Sequence, residues 1–202
     1  MATSAAPYGL RPVKRADGMP YAGATTEYLI DPAGVANNIF YGSVVQLTTA
    51  GYVELADGTG ADITTNNFGG NGIGALGVFV GCEYVNAQGQ VIHSQYYPSG
   101  TTGVVKAYVV DDPMVVFQAQ LDDSASQAVL GAITKFPAAQ NATTSGSTST
   151  GNSTMALDAT VQTTVGGLLI VGFANNSQSD NYPDVYVKFT IGGHHMTNNA
   201  GV

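Results

Sequence analysis

Short runs of β-branched and aromatic residues, separated by turn residues, recur along most of this sequence. In residues 184–191, Val185, Val187 and Phe189 alternate with polar side chains, which is the period-two pattern of a strand with one buried face. In the run at residues 39–47, Gly42 interrupts the pattern and predicts a bulge. The other runs cover residues 25–30, 39–47, 52–55, 75–85, 90–97, 104–110, 114–120 and 167–173. The pattern predicts a mainly β fold, either a single β-sandwich or a small β-barrel.

One segment departs from the strand pattern and predicts a short helix. It opens at Asp122-Asp123-Ser124, where carboxylates suit a helix N-terminus. Small apolar residues follow at helical spacing as far as Ala132. We expect the helix to end near Gly131 or Lys135, before Pro137.

The N-terminus differs in charge from the rest of the chain. Residues 1–16 contain Arg11, Lys14 and Arg15, which are three of the six basic residues, and no acidic residue. Pro7 and Pro12 fix the backbone and remove N–H donors, so a helix is not expected here. We predict that residues 1–24 form an extended arm, which becomes ordered by lying on another molecule.

The remaining residues divide into a β-rich body, residues 25–192, and a flexible C-terminal tail, residues 193–202. Within the body, residues 141–154 are rich in Ser, Thr and Gly. The part after this segment offers only about three strands, which would make a thin core alone. We therefore favour a loop inside one domain, with a linker between two domains as the alternative.

The composition argues for protein–protein contact. The net charge is −8, and only 10% of the residues are charged, against roughly 25% in ordinary soluble domains. An acidic chain is a poor candidate for nucleic-acid binding, which depends on phosphate neutralisation. A surface with few long charged side chains loses less solvation and side-chain entropy on contact. Such a surface suits packing into an assembly, and it also suits secreted β proteins.

The sequence predicts no catalytic, metal or cofactor site, and we expect that the protein is not an enzyme. Asp111-Asp112 and Asp122-Asp123 fit a proline turn and a helix start better than a cation site. The adjacent His194-His195 fit a surface tail better than a zinc site. The single cysteine, Cys82, lies in a strand pattern and is expected to be buried.

Neither a membrane span nor a signal peptide is visible. No stretch approaches the ~18 apolar residues that a span needs. The start of the chain lacks a basic region followed by an apolar one. We therefore expect a chain that is made in a cytosol and remains there or joins a particle there.

Four short motifs in the first 120 residues resemble a group of small structural proteins of tailed bacteriophages, which are capsid decoration (cement) or head proteins. The motifs are residues 6–13 (APYGLRPV), Gly18-x-Pro20-Tyr21-x-Gly23, the Gly-Val-x-Val-Gly strand at 77–81, and Val110-Asp111-Asp112-Pro113 leading into Val116-Phe117-Gln118.

The resemblance implies a protein without a catalytic task that binds the outer face of the lattice formed by the major capsid protein. It implies a small homo-oligomer, a dimer or trimer, on virions assembled in the host cytoplasm, with no direct contact to nucleic acid or membrane. Its arm would clamp neighbouring shell subunits. The residues predicted to bind the partner are Tyr8, Leu10, Arg11, Val13, Lys14, Arg15 and Tyr21. The alternatives are a tail, fibre or minor capsid component, or a carbohydrate-binding β-sandwich on the virion surface.

Overall fold

A computed structural model describes residues 4–56, 74–124, 130–134, 146–160, 167–175, 177–190 and 193–197. The fold is mainly β, as the sequence predicts. Its strands form a closed barrel-like sheet, a second five-stranded sheet and a two-stranded ribbon. In chain order the strands are β1 Arg11–Arg15, β2 Thr26–Ile30, β3 Ile39–Phe40, β4 Val44–Leu47, β5 Val53–Leu55, β6 Gly77–Val85, β7 Val91–Ser94, β8 Tyr96–Tyr97, β9 Val105–Val110, β10 Val115–Gln120, β11 Ile133–Thr134, β12 Leu168–Phe173 and β13 Asp184–Phe189.

The barrel consists of β4, β5, β2, β9 and β6 in that order, and pairing of β4 with β6 closes it. All neighbouring strands are antiparallel except β2 and β5. β7 extends the sheet beyond β6 as its edge strand. The interior is filled by alternate side chains, among them Ile30, Phe79, Val105 and Val109, which are fully buried. Closure removes the sheet edges that β4 and β6 would otherwise expose.

The second sheet has the order β1-β10-β13-β12-β11, and all its pairings are antiparallel. Its inner face carries Phe117, Val187 and Ile170, which are fully buried. They belong to one hydrophobic cluster with Val44 and Val78 of the barrel strands. The sheet therefore packs against the outside of the barrel and leaves its other face toward solvent.

The main correction concerns the N-terminal segment, which the sequence predicts to be an extended arm lying on another molecule. Residues 11–15 form β1, which pairs with β10 of the same chain, and Leu10 is fully buried in the cluster between barrel and sheet. Gly9 makes this possible: its φ is +73°, and a Cβ there would lie 2.6 Å from the carbonyl oxygen of Gly42. The segment is ordered on its own domain because Leu10 is buried in the core and the backbone of β1 is hydrogen-bonded to β10.

Two other predictions need correction. The described part of the helix candidate is a turn at Leu130–Gly131 followed by β11, and residues 125–129 lie outside the described residues. Gly131 has φ +81° and the β-branched Ile133 and Thr134 follow, which favours a turn and a strand. Within the described ranges the only helical elements are two 3-10 turns, Ser177–Ser179 and His195–Thr197.

The predicted flexible tail is also partly wrong. His194 is fully buried, and its ring packs edge-on against Phe189 with 5.2 Å between centroids. The backbone N–H of Ala75 donates to the carbonyl of Gly193 (3.0 Å), and that of His195 donates to the carbonyl of Ala75 (2.8 Å). Residues 193–197 are therefore anchored to the segment that leads into β6, whereas 198–202 lie outside the described residues.

The described part of the Ser/Thr/Gly-rich segment, residues 146–154, packs against the barrel side of the molecule. Asn152 forms a bridge with Tyr41 and its side-chain oxygen accepts a hydrogen bond from Gln95 (2.8 Å). Beyond it, Met155 and Leu157 enter the cluster between barrel and sheet. The strands before and after this segment, β11 and β12, are paired in one sheet. The chain on both sides of the segment therefore contributes to the same sheet.

Candidate partner-binding face

The solvent-facing side of the five-stranded sheet concentrates positive charge and tyrosine rings. Alternation along β13 buries Val185 and Val187 and turns Tyr186 and Lys188 outward. The register places Gln118 of β10 beside Tyr186 and beside Arg11 of β1. We call the outward side chains of six residues the basic face; they are Tyr8, Arg11, Lys14, Gln118, Tyr186 and Lys188.

Tyr8 is fixed at one end of the basic face. Its hydroxyl donates a hydrogen bond to Oδ1 of Asp184 (2.8 Å). The guanidinium of Arg11 lies 4.4 Å from the centre of the Tyr8 ring, which is a cation–π distance. Burial, and then the bond to Asp184, raise the pKa of the Tyr8 phenol, so it remains a neutral donor. The ring therefore holds Arg11 in place over the sheet.

Lys14 and Lys188 form the other end of the basic face. The ammonium of Lys14 lies 5.1 Å from the centre of the Tyr186 ring. Lys14 is opposite Val116, and continuing the register between β10 and β13 by one residue places Lys188 on the far side of Val116. The two lysines are thus two strands apart, about 10 Å by ordinary strand spacing.

Among the described residues, these three cations form no ion pair. The ion pairs among the described residues involve Arg15, His93 and Lys106, but not Arg11, Lys14 or Lys188. Half of the six basic residues of a chain with net charge −8 therefore stand unpaired on one sheet face. Such a face attracts anionic groups of a partner.

The structure brings only some of the sequence-predicted residues together. Tyr8, Arg11 and Lys14 lie on the basic face, and Val13 is 39% exposed at a bulge in β1 beside it. Leu10 points into the core and is not available to a partner.

The other two predicted residues are used within the chain. Arg15 forms ion pairs with Asp112 and with Asp17, the latter at 3.2 Å, and so holds the turn after β1. The Tyr21 hydroxyl donates to the carbonyl of Ala24 (2.8 Å), and its ring packs against the core.

Sequence reasoning missed Gln118, Tyr186 and Lys188 as members of the site. The alternation in residues 184–191 shows that Tyr186 and Lys188 face away from the core. The sequence does not show that β13 lies near β1, because the two strands are brought together only by β10, which lies between them in the sheet.

Two of the aspartates that the sequence analysis considered as ligands have structural partners instead. Asp111 accepts hydrogen bonds from the hydroxyls of Thr26 (3.0 Å) and Tyr28 (2.8 Å), and Asp122 accepts one from the backbone N–H of Ala159 (2.8 Å). Cys82 is buried, as predicted, and burial raises its pKa to about 12.

Among the described residues, no three His, Cys, Asp or Glu side chains are grouped as metal ligands would be. None of the helices in the described ranges has the length and apolar character of a membrane span. No protein family model matches the chain, and neither a curated protein nor a solved structure matches it.

Proposed function

We propose that the protein is a non-enzymatic structural component of a virus particle, a decoration (cement) protein on the outer surface of a tailed-bacteriophage head that joins the shell in the host cytoplasm. It would bind the major capsid protein through the basic face. The observation that carries this proposal is the group of unpaired cations, Arg11, Lys14 and Lys188, on a sheet face of an otherwise acidic chain. The particle context comes from the resemblance of the four short motifs in the first 120 residues to those of phage head proteins.

The mode of attachment differs from the clamp that the sequence suggested. Residues 11–15 are already ordered in the sheet, so binding does not require a disordered arm to fold. Tyr8 and Tyr186 hold Arg11 and Lys14 in place. Preorganised side chains lose less conformational entropy when a partner arrives.

The expected strength of one contact is small. Exposed ion pairs contribute roughly 0–1 kcal/mol each, and three cations give a weak site that depends on salt. A shell presents many identical sites, so linked copies can reach high avidity without a strong single contact. Weak, repeated binding of a rigid module is what a decoration protein requires.

The test is co-sedimentation of the purified protein with empty shells assembled from the major capsid protein of the same phage. Lys14→Ala/Lys188→Ala removes two charges from exposed or half-buried positions and is expected to reduce binding strongly, as is raised salt. The control Thr49→Glu/Ala50→Glu makes the same change in net charge at an exposed turn of the barrel and is expected to bind normally. Undiminished binding by the lysine variant, or no binding by the unmodified protein, contradicts the proposal.

A further inference from the structure

A second surface, separate from the basic face, carries exposed apolar side chains on the barrel. Val85, Val91 and Val104 are 52%, 56% and 67% exposed. Val85 and Val91 are opposite each other on β6 and β7. Continuing the β6–β9 register by one residue, from Tyr84 opposite Val105, puts Val104 opposite Val85. The three form one contiguous line across neighbouring strands, which we call the valine row.

Contiguity distinguishes the valine row from ordinary surface apolar residues. Single exposed apolar side chains are normal on soluble proteins, but adjacent ones indicate an interaction surface. β-branched side chains on a sheet also lose little rotamer freedom on contact.

The charges next to the valine row indicate the partner. Glu83 lies two residues before Val85 on β6, and Lys106 lies two residues after Val104 on β9, so both are on the same outward face. The register places Glu83 and Lys106 directly opposite each other. Both remain accessible, with the side chains 28% and 43% exposed, while Glu83 also lies 3.7 Å from His93 and Lys106 lies 3.5 Å from Glu27 within the chain. Each of the two strands therefore carries one charged residue followed, on the same face, by one valine. The charge is acidic on β6 and basic on β9.

This pattern is self-complementary. A twofold axis parallel to the strands, running between β6 and β9, would bring Val85 onto Val104 of a second copy and Glu83 onto Lys106 of that copy. The same contacts occur twice, as an isologous interface requires. A foreign partner would have to supply this arrangement by coincidence, whereas a second copy carries it already.

We infer that the protein forms a twofold dimer through the outer face of β6 and β9, with the valine row against the valine row and Glu83 against Lys106. The interface uses none of the residues of the basic face, so each dimer presents two basic faces. The inference stands on its own and does not require that the partner of the basic face be a capsid.

The experiment is sedimentation velocity of the full chain over a wide range of protein concentration. A reversible monomer–dimer equilibrium is expected. Glu83→Lys and Lys106→Glu each place like charges together and are expected to abolish the dimer. The double variant Glu83→Lys/Lys106→Glu restores the complementarity and is expected to dimerise like the unmodified chain. Thermal unfolding of each variant separates loss of the dimer from loss of the fold.

A second pair of variants tests the apolar contact. Val85→Thr/Val104→Thr is expected to weaken the dimer at least tenfold, whereas the control Val171→Thr, at a 38% exposed site on the other sheet, leaves it unchanged. A chain that stays monomeric at every concentration overturns the inference. Single charge reversals that associate normally, a double variant that does not recover, or assemblies larger than a dimer overturn it as well.

Discussion

The buried imidazole of His194 makes the stability of the protein dependent on pH. The ring is fully buried beside Phe189, and its Nδ1 accepts a hydrogen bond from the backbone N–H of Met196 (3.1 Å). Its Nε2 has no hydrogen-bond partner among the described groups. Burial is the main cause that lowers the pKa of His194 to about 4, and the carboxylates of Asp111 and Asp112 only partly oppose it.

The size and sign of the effect follow from linkage. In the unfolded chain His194 has an ordinary pKa of about 6.5, so the unfolded state takes up a proton first as pH falls. The contribution of the neutral ring to stability is complete above the unfolded pKa and is lost progressively as pH falls toward 4. With the folded pKa at about 4, roughly 2 kcal/mol is lost by pH 5 and about 3 kcal/mol in total.

The assay compares the unmodified protein with His194→Asn by urea unfolding at pH 7 and pH 5. Asparagine keeps an acceptor near the position of Nδ1 and does not titrate. The variant is expected to be less stable at pH 7, because packing against Phe189 is lost. Its free energy of unfolding should then fall by roughly 2 kcal/mol less than that of the unmodified protein between the two pH values.

Comparison of the two proteins cancels every pH-dependent contribution that they have in common. If the free energies of unfolding of the two fall by the same amount, the buried neutral imidazole is not the source of the acid sensitivity. That result would refute the reasoning.

Three further predictions concern the N-terminal strand and the core. Leu10→Ala should lower the free energy of unfolding by about 2–5 kcal/mol, whereas Val13→Ala at an exposed bulge should change it by less than about 0.5 kcal/mol; equal effects in urea unfolding would contradict the burial of Leu10. Deleting residues 1–16 removes β1 as well and should destabilise the protein more than Leu10→Ala does, and a deletion variant with an unchanged melting temperature would show that the strand is dispensable. Cys82 should react with a thiol reagent at pH 8 only after unfolding, since burial raises its pKa to about 12, and rapid labelling of the native protein would contradict this.

The strands can be predicted from the sequence because each run carries the alternation or the β-branched and aromatic residues that mark a strand. The alternation that begins at Asp184 appears as β13, Asp184–Phe189. The runs at residues 75–85 and 90–97 contain β6 and β7, which pair with each other, but the second run also contains β8, which pairs with β3 instead. Closure of the barrel could not be predicted in this way. It depends on pairing of β4 with β6, two strands separated by about thirty residues with no local signal.

The N-terminal strand was missed for a specific reason. Pro7 and Pro12 argue only against a helix, and an extended segment carries no local sign of the strand that it pairs with. A strand at the sheet edge tolerates proline because one side of its backbone is unpaired. β1 is an edge strand. Arg11 and Lys14 are exposed, and their binding to a partner stays a prediction, whereas Leu10, predicted to bind the partner as well, is buried in the core.

The claim on which the account depends is that residues 10–15 are a strand of their own domain before any partner binds. Hydrogen exchange of the purified protein alone, followed by mass spectrometry, measures this directly. We expect those amides of β1 that face β10 to be protected in the protein alone, because β1 pairs with β10 on that side. Exchange as fast as in an unstructured peptide, with protection only after a shell is added, would contradict the account and restore the clamping arm.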